Sequence, residues 1–327
     1  MINPIISVIM PVYNGEKFIK QNIINIMNQS FRDFELIVIN DGSTDCTQNI
    51  CESLSKIDNR IIFITKENGG PSEARNLGIK MAKGTWICFI DSDDYVDTTY
   101  LSSLISQYDN NADLIMSTFL YGERHVDILP SSYQYRHLYK LGNIYNDIHI
   151  HYLGYIFGKL FKCDIIKEHK IQFTSNIKIA EDSIFISQYL YYTTNVFIVD
   201  SDQYHYKTNI QNSLSKTANI NERFVSYKYN LEERKKLVDK LHIESYKIYY
   251  YYINSLNYAI KCMYKNCIID KKERIEYLKK FAGDDYFRYL RKSNSRFNKM
   301  SYYILKLKFY RFYDLLNMIF YNHLWRR

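Results

Sequence analysis

The chain has 327 residues, which is enough for one large α/β domain with an appendage or for two domains. Its six cysteines form no CxxC pair and lie in apolar or helix-like stretches, which indicates reduced core thiols and excludes a small disulfide-stapled scaffold. The formal net charge is +8, and from Arg296 onward seven basic residues face one acidic residue, so most of the excess lies in the tail.

The first part of the chain alternates apolar runs with helix-like segments, a pattern typical of a mostly parallel sheet. The first run, MINPIISVIMPVYNG, has no basic segment before it and is too short to span a bilayer, so it is predicted to be a buried strand. Strands are predicted at Ile5–Val12, Glu35–Ile39, Ile61–Thr65, Thr85–Ile90 and Asp113–Ser117. Helices are predicted at Glu16–Asn28 and Asp45–Ser55, and another is predicted to begin at Pro71.

Beyond about residue 215 the pattern changes to long helical stretches rich in Tyr, Lys and Asn. We therefore expect residues 1–215 to form the main domain and residues 216–327 to form a helical C-terminal region. Helices are predicted there at Arg223–Leu241, Ser245–Tyr264, Lys271–Tyr289 and Ser301–Tyr321.

The last predicted helix mixes apolar and aromatic residues with Lys306, Lys308, Arg311 and Asp314. These charges argue against a transmembrane span, and they fit a basic amphipathic helix on an anionic membrane surface. A packing helix with a solvated basic face explains the same pattern.

Polar residues follow each of the first four predicted strands. They are Pro11 to Asn14 after the first strand, Asn40 to Ser43 after the second, Asn68 to Pro71 after the third and Asp91 to Asp94 after the fourth. Because ligands of an open parallel sheet bind at the carboxyl ends of its strands, these loops are predicted to form a binding site.

The loop after the fourth strand, Asp91-Ser92-Asp93-Asp94, holds three carboxylates within four residues. A hard divalent cation that also carries phosphate oxygens relieves their mutual repulsion. Taken alone, such a motif is more typical of a solvated acidic turn. The apolar run TWICFI before it, however, puts Asp91 and Asp93 at the ligand-binding edge of the sheet.

Two further polar residues belong to this predicted edge. Arg75 falls in the first turns of the helix that begins at Pro71, where the helix dipole favours anions and a guanidinium can bind a diphosphate. A surface arginine is the alternative. Asp41 follows a buried strand and is predicted either to accept hydrogen bonds from a nucleobase or ribose or to cap the next helix.

Four stretches, in this order, resemble glycosyltransferase family 2, the inverting enzymes of GT-A fold: SVIMPVYNGEKFI, QSFRDFELIVINDGSTD, NGGPSEARNLGI and AKGTWICFIDSDD. The resemblance is strongest from Ile5 to Tyr95 and continues more thinly through GKLFKCDII, IAEDSIF and YHYKTNIQNSLS, ending near Ser215. It implies a GT-A nucleotide-diphospho-sugar transferase fold, a mostly parallel central sheet flanked by helices, with the helical C-terminal region as an appendage.

The resemblance also implies a role for each matching residue. The donor-binding residues are expected to be Pro11, Val12, Tyr13, Asp41, Asn68, Arg75, Asp91 and Ser92, the first four at the nucleobase and Asn68 and Arg75 at the ribose and diphosphate. Asp93 is expected to bind Mn²⁺ or Mg²⁺, with Asp91 nearer the ribose or a metal-bound water.

Three further acidic or basic positions and the catalytic base come from the thinner part of the resemblance. Asp182, in the pair Glu181-Asp182, is expected to be the base, although the residues alone indicate only two acids at a helix N-terminus. Glu181, His205 and Lys207 are expected to be further donor or metal contacts, the last two on a mobile loop. A packed or surface histidine is the alternative for His205.

These roles imply in-line attack at the anomeric carbon. The resemblance to the family, and not the sequence by itself, implies inversion. The expected donor is UDP-hexose or UDP-N-acetylhexosamine. The expected acceptor is a growing bacterial surface glycan linked to polyprenyl diphosphate, at the cytoplasmic face of the cell membrane. The chain lacks the Gln-x-x-Arg-Trp pattern of processive synthases, which favours the addition of one sugar per encounter.

Three other classes of protein fit parts of the sequence. A non-catalytic nucleotide-binding partner of another glycosyltransferase is the main alternative, and the intact acidic residues argue against it. A nucleic-acid-binding protein fits the charge and the tyrosines, but the charge is concentrated in one tail and no known nucleic-acid-binding signature is present, so no such partner is expected. A dinucleotide dehydrogenase is disfavoured because the loop after the first strand has no GxGxxG.

Overall fold

A computed structural model describes residues 3–106, 108–207, 219–243, 246–264, 269–292 and 295–324. Within these ranges the strands are β1 (Ile6–Val12), β2 (Phe34–Asp41), β3 (Ile61–Lys66), β4 (Trp86–Phe89), β5 (Tyr95–Val96), β6 (Leu114–Ser117), β7 (Phe119–Tyr121), β8 (Arg124–Val126), β9 (His137–Lys140), β10 (Lys159–Lys162), β11 (Asn195–Val199) and β12 (Tyr204–Tyr206). All five strands predicted from the sequence are present, as β1, β2, β3, β4 and β6, and no end is shifted by more than two residues.

Eight strands form the central sheet, in the order β3-β2-β1-β4-β10-β6-β11-β9, and β5, β12, β7 and β8 form a second, smaller sheet. The strands β1 to β4 are mutually parallel, and β11 is parallel to β6. Only β10 and β9 run antiparallel to their neighbours within the described central sheet. The mostly parallel sheet expected from the sequence is therefore confirmed.

The described helices are α1 (Ile19–Met27), α2 (Thr47–Ser55), α3 (Pro71–Met81), α4 (Tyr100–Ile105), α5 (Leu141–Ile144), α6 (Cys163–Glu168), α7 (Glu181–Tyr191), α8 (Ile220–Leu241), α9 (Tyr246–Tyr264), α10 (Lys271–Ala282), α11 (Arg296–Lys306) and α12 (Tyr310–Leu324). Short 3₁₀ helices span Ile150–Leu153 and Asp285–Lys292. Among the described helices, none combines the length and the apolar character needed to cross a bilayer.

The core lies on the central sheet, whose inner strands are covered by helices. Every residue of β2 is buried, as is every residue of β1 except Pro11, which explains why both strands appear in the sequence as continuous apolar runs. The helix α1 buries Ile19, Ile23 and Ile26, which share one face at helical spacing. The helix α3 approaches β1 so closely at Gly78 that a Cβ atom there would lie 2.4 Å from the Ile9 side chain.

The C-terminal helices contact the sheet region through α8, which packs along α7. Asn219 caps α8 by accepting a hydrogen bond from the Glu222 backbone, and the Glu222 carboxylate accepts one from the Asn219 backbone. Farther along the helix, Arg234 donates hydrogen bonds to the Leu153 carbonyl (3.0 Å) and to Ser183 Oγ (2.6 Å). These contacts attach the C-terminal region directly behind the N-terminal end of α7.

The predicted single helix over Ser301–Tyr321 is wrong, because the chain turns between α11 and α12. Lys308 has a φ of 63°, its N–H donates to the Leu305 carbonyl, and the Phe309 N–H donates to the Ile304 carbonyl. This is the hydrogen-bond pattern of a Schellman helix end, with a lysine at the left-handed position that glycine usually occupies.

The predicted helix over Lys271–Tyr289 is also too long. The helix α10 ends at Ala282, Gly283 follows as its cap, and a 3₁₀ helix replaces the last predicted turns. Gly283 was visible in the sequence as a stop signal.

Most of the described cysteines lie in the core, as expected. Cys51, Cys88 and Cys163 are buried and Cys262 is half-buried, but Cys46 is exposed just before α2, so the prediction of a core thiol is wrong there. Cys267, the expected domain boundary at 215–216, and Arg326 and Arg327 lie outside the described residues.

Candidate functional site

The loops that follow β1 and β2 are tied together at the carboxyl end of the sheet. The Asn14 side-chain oxygen accepts a hydrogen bond from the Thr44 backbone (2.9 Å), and the Asn14 backbone donates to Ser43 Oγ (2.9 Å). Asn14 itself has a φ of 49°, a conformation that asparagine tolerates better than most residues. Next to it, Tyr13 has 52% of its surface exposed while Val12 is buried, so an aromatic ring stands open at this edge.

Asp41, at the end of β2, joins this edge to the loop after β3. Its carboxylate accepts hydrogen bonds from the backbone N–H groups of Gly69 (3.0 Å) and Gly70 (2.7 Å). It also forms an ion pair with Lys66 (2.8 Å). The side chain of Asn68 in turn donates to the Asp41 carbonyl (2.9 Å). Asp41 therefore does not cap α2, whose N-cap residue is Cys46, and the interpretation as a helix cap is wrong.

Arg75, in α3, is at the centre of the acidic residues. Its Nη2 donates to Asp91 Oδ1 at 2.8 Å, and its Nη1 lies 3.2 Å from Asp182 Oδ1 and 3.7 Å from Glu181 Oε1. Only 5% of the residue is exposed. Although burial opposes its charge, the three carboxylates raise the pKa of Arg75 above its ordinary value. One guanidinium thus connects the loop after β4 with the start of α7.

Asp182 is the second residue of α7, and the N-cap residue of this helix, Ala180, has a φ of 63°. One carboxylate oxygen faces Arg75, and the other accepts a hydrogen bond from the Ile156 backbone at 3.3 Å. Burial raises the pKa of Asp182 while Arg75 opposes the shift, and 17% of the side chain is exposed. For Glu181, burial and the Asp182 charge raise the pKa to about 7. Both acids therefore hold protons more tightly than a solvated carboxyl group.

The loop after β4 carries more negative charge than its neighbours balance. Asp94 accepts hydrogen bonds from Tyr204 (2.6 Å) and from the Lys207 backbone (2.9 Å), and burial together with the Asp91 charge raises its pKa to about 8. Burial and Asp91 likewise raise the pKa of Asp93. In the described part of the chain, no cation lies within 4.0 Å of the Asp93 carboxylate. These residues offer the surplus of carboxylate oxygens that a hard divalent cation binds.

His205 and Lys207 line the same groove as Asp93. His205 lies in a strand, so the expectation of a mobile loop is wrong for this residue. His205 is in β12, paired with β5 and β7, and its Nε2 contacts Asp97 Oδ2 at 3.0 Å. Lys207 follows the strand directly. An open groove of about 540 Å³ is lined by Asp93, Asp94, His205 and Lys207, among others.

Lys159 is a residue of this site that the sequence analysis missed. It is fully buried in β10, and its ammonium group donates to the carbonyls of Tyr155 (2.6 Å) and Phe157 (3.1 Å), on either side of Ile156. Burial lowers the pKa of Lys159 to about 7, and the nearby Asp182 charge opposes the shift. A lysine inside the apolar stretch GKLF was the available signal, because buried lysines are rare unless paired.

The sequence analysis counted Asp94 among the carboxylates of the loop but gave it no role, and it missed the Tyr204 side chain that donates to Asp94. Elsewhere, His125, Asp200 and Asp202 bring possible ligand atoms within 4.8 Å of one another, but all three are exposed. None of these three follows β1, β2, β3 or β4, so they lie outside the loops described above.

The model of the family described as Glycosyl transferase family 2 matches residues 7–169. The uncharacterized glycosyltransferase EpsJ of Bacillus subtilis is 33% identical over 218 residues, which cover 65% of this chain and 63% of that protein. The poly(ribitol-phosphate) beta-glucosyltransferase of Bacillus spizizenii is 34% identical over 190 residues, 55% of this chain and 28% of that protein. The chain thus spans less than two thirds of the length of these curated relatives.

Among solved structures, residues 1–349 of TarS from S. aureus, in complex with UDP-GlcNAc, superpose with a TM-score of 0.70. The alignment covers 98% of this chain and 91% of that one, at 20% sequence identity. At this identity the likeness concerns the fold.

Proposed function

The chain belongs to glycosyltransferase family 2 and has the GT-A fold, and from this premise we propose that it moves a single sugar from a nucleotide-diphosphate donor to a hydroxyl of a growing bacterial surface glycan, with inversion. One observation carries the proposal. Arg75 contacts Asp91 and Asp182 at once, although the two acids are 91 positions apart in the chain. This brings the acids suited to the leaving diphosphate and the acid suited to the attacking hydroxyl within reach of one substrate.

The proposed donor lies across the loops after β1, β2 and β3. The exposed ring of Tyr13 offers a stacking surface for a nucleobase, and Pro11 and Val12 form the adjoining wall. Asp41 and Asn68, fixed by their mutual contacts, supply polar groups for the base and ribose. We propose a UDP-hexose or UDP-N-acetylhexosamine as the donor. The crystal structure of TarS in complex with UDP-GlcNAc, a protein of the same fold, supports this choice.

The acidic loop fits a divalent cation, Mn²⁺ or Mg²⁺, which we assign to Asp93. Asp91 is held by Arg75 and Asp94 by Tyr204, whereas the Asp93 carboxylate opens into the groove beside Lys207. When bound, the cation supplies positive charge where negative charge develops on the leaving diphosphate. Ser92, Glu181, His205 and Lys207 are the further polar groups proposed around the donor.

Asp182 is the proposed general base. Its oxygens are oriented from two sides, by Arg75 and by the Ile156 N–H, and its raised pKa suits a group that takes a proton near neutral pH. We assign Lys159 a positioning role, because it binds the two carbonyls that flank Ile156 and so fixes the N–H that contacts Asp182.

For the acceptor we propose a glycan linked to polyprenyl diphosphate, with the enzyme at the inner face of the cell membrane. The name of the Bacillus spizizenii relative, a transferase acting on poly(ribitol-phosphate), supports a polymeric surface acceptor. The basic C-terminal helices support a position at an anionic membrane.

Release of UDP from a panel of UDP-sugars, with Mn²⁺ and a bacterial membrane extract as the acceptor source, tests the proposal. One donor is expected to turn over, and Asp182→Asn is expected to lower its turnover by roughly 10²- to 10⁴-fold while UDP binding is retained. Asp164→Asn, which changes an exposed acid in the first turn of α6, is the matched control. UDP binding without turnover of any donor, in the wild type, would instead favour the non-catalytic partner.

A further inference from the structure

The helix α12 packs with its polar side inward. Tyr313, Asp314 and Asn317 are buried, with at most 1% of each residue exposed, whereas Phe312, Leu315 and Ile319 keep more than half of their surface exposed. The three exposed residues follow an i, i+3, i+7 spacing and therefore share one face of the helix. A helix that packs only to bury its apolar stripe has the reverse orientation.

Specific contacts fix this orientation. Arg274 in α10 donates to both carboxylate oxygens of Asp314, at 2.7 and 3.2 Å, and Tyr264 donates to Asp314 at 3.1 Å. The residue directly before Asp314, Tyr313, donates to Ser301 Oγ at 3.1 Å. A rotation of α12 that buried the apolar residues would break these contacts and leave the Arg274 charge without its carboxylate partner.

Large apolar side chains of α11 and of the turn before α12 are exposed as well. Together with those of α12 we call them the outer face, and its residues are Met300, Tyr303, Leu307, Phe309, Phe312, Leu315 and Ile319. Across the residues whose structure is described, fourteen large apolar side chains are exposed, and these seven fall within a stretch of twenty residues. Scattered exposure is ordinary, but such a concentration marks a surface that another body covers.

Basic residues lie next to the outer face. An open groove of about 960 Å³ between α10 and the start of α12 is lined by Phe309 and Phe312 together with Lys271, Lys272, Lys279, Lys308 and Arg311. The acidic residue that lines it, Glu276, is paired with Lys279 at 2.8 Å. The groove therefore presents a net positive charge beside exposed aromatic rings.

We propose that the outer face and this groove form a docking surface for an anionic lipid bilayer. The apolar residues enter the boundary between head groups and acyl chains, and the cations pair with lipid phosphates. The inference rests on the proposed function for its biological purpose, because an enzyme that acts on a lipid-linked glycan works at a membrane. A second copy of the chain fits less well, because a twofold contact would bring two basic grooves together.

Flotation of the full chain with vesicles tests the proposal. Binding is expected to vesicles of phosphatidylcholine with phosphatidylglycerol and to be weak with phosphatidylcholine alone. The double variant Phe312→Glu with Leu315→Glu is expected to bind these vesicles at least about tenfold more weakly than the wild type does. Ile57→Glu, which changes an apolar residue that is 73% exposed at the end of α2, is the control and is expected to bind as the wild type does.

A second pair of variants tests the charges. Lys308→Glu with Arg311→Glu is expected to weaken vesicle binding about tenfold or more and to reduce its salt dependence, because each basic residue at an anionic surface contributes separately. Lys20→Glu with Lys56→Glu, which changes two exposed lysines of the sheet region, is the matched control.

Two results would overturn the docking surface. One is that the wild-type protein does not float with the anionic vesicles. The other is wild-type protein that sediments as a dimer, becomes a monomer in the Phe312/Leu315 variant and shows no vesicle binding, which would assign the outer face to a second copy. UDP binding measured on the same samples keeps the two proposals separate, since its absence with intact flotation would count against the transferase site alone.

Discussion

The sheet region and the C-terminal helices each bury an arginine, but they balance its charge differently. Arg75 contacts three carboxylates, and Asp93 and Asp94 lie in the adjoining loop, so the acids outnumber the cations. Arg274 forms an ion pair with the Asp314 carboxylate, and both oxygens of that carboxylate accept hydrogen bonds. A surplus of buried charge of one sign is costly unless a ligand relieves it, whereas a completed buried pair becomes costly when one partner is removed. The difference separates a binding site from a structural contact.

The two regions also differ in how far their apolar side chains are exposed to solvent. In β1 and β2 nearly every apolar side chain is buried, whereas the outer face of α11 and α12 leaves its large side chains exposed. Among the described residues, the acidic loop of the sheet region thus holds carboxylates that no cation pairs, and the outer face presents apolar side chains that no other described residue covers. The following predictions test this contrast.

The largest effect on stability is expected from Asp314→Ala. It leaves the buried Arg274 guanidinium without its carboxylate partner, and the expected loss is about 3–5 kcal/mol of unfolding free energy. Asp91→Ala, by contrast, removes one acid from a surplus, so the free energy is expected to stay the same or to rise. Urea denaturation at neutral pH measures both, and equal losses in the two variants would break the comparison.

Lys159→Met is expected to act next most strongly. It removes the ammonium group that donates to the Tyr155 and Phe157 carbonyls, at an expected cost of about 1–3 kcal/mol. Because these carbonyls hold the Ile156 N–H against Asp182, kcat is expected to fall more than KM rises. Lys162→Met, on the same strand, is the control. Unchanged kcat in a folded Lys159 variant would contradict the positioning role.

The surplus acids predict a dependence of stability on pH. The pKa of Asp94 rises from 3.8 to about 8 in the folded protein, so the folded state binds the proton more tightly than the unfolded state does. Its favourable contribution is therefore present at low pH and is lost as the pH rises toward 8.

Asp94→Asn removes this titration. In metal-free buffer it is expected to reduce the decline in unfolding free energy between pH 5 and pH 8 by about 1–3 kcal/mol. An asparagine can still accept from the Lys207 N–H, which makes the substitution conservative. Parallel declines in the variant and the wild type would show that Asp94 carries no raised pKa.

The smallest effect is expected from Ile319→Ser. Its side chain is half exposed, so the unfolding free energy of the free protein is expected to change by less than about 0.5 kcal/mol. Ile23→Ala, in the core face of α1, is the comparison and is expected to cost about 2–5 kcal/mol. A large loss for Ile319→Ser would mean that the outer face stabilises the fold itself.

The sequence predicted the sheet and its loops well because both depend on local pattern. Apolar runs marked β1 to β4, and the polar residues after them marked the edge where Asp91 and Arg75 meet. The contact between Arg75 and Asp182 was beyond local reasoning, since it joins residues 107 positions apart. Lys159 was missed because a single lysine in a strand indicates solvent exposure unless its partners, here two carbonyls, are known.

In the C-terminal region, local pattern was a weaker guide. The helix end at Lys308 carries no glycine, so the sequence gives no stop signal at that point. The orientation of α12 was also hidden, because it depends on the distant Arg274 and not on the spacing of apolar residues.

The central claim is that the acidic loop after β4 binds a divalent cation and a nucleotide diphosphate together. Calorimetric titration of UDP into the full chain, with Mn²⁺ and with a chelator, tests it directly, in the wild type and in Asp93→Ala. We expect UDP binding that requires Mn²⁺ and that is lost in the variant. UDP binding that is equal with and without the metal, or unchanged in Asp93→Ala, would contradict it.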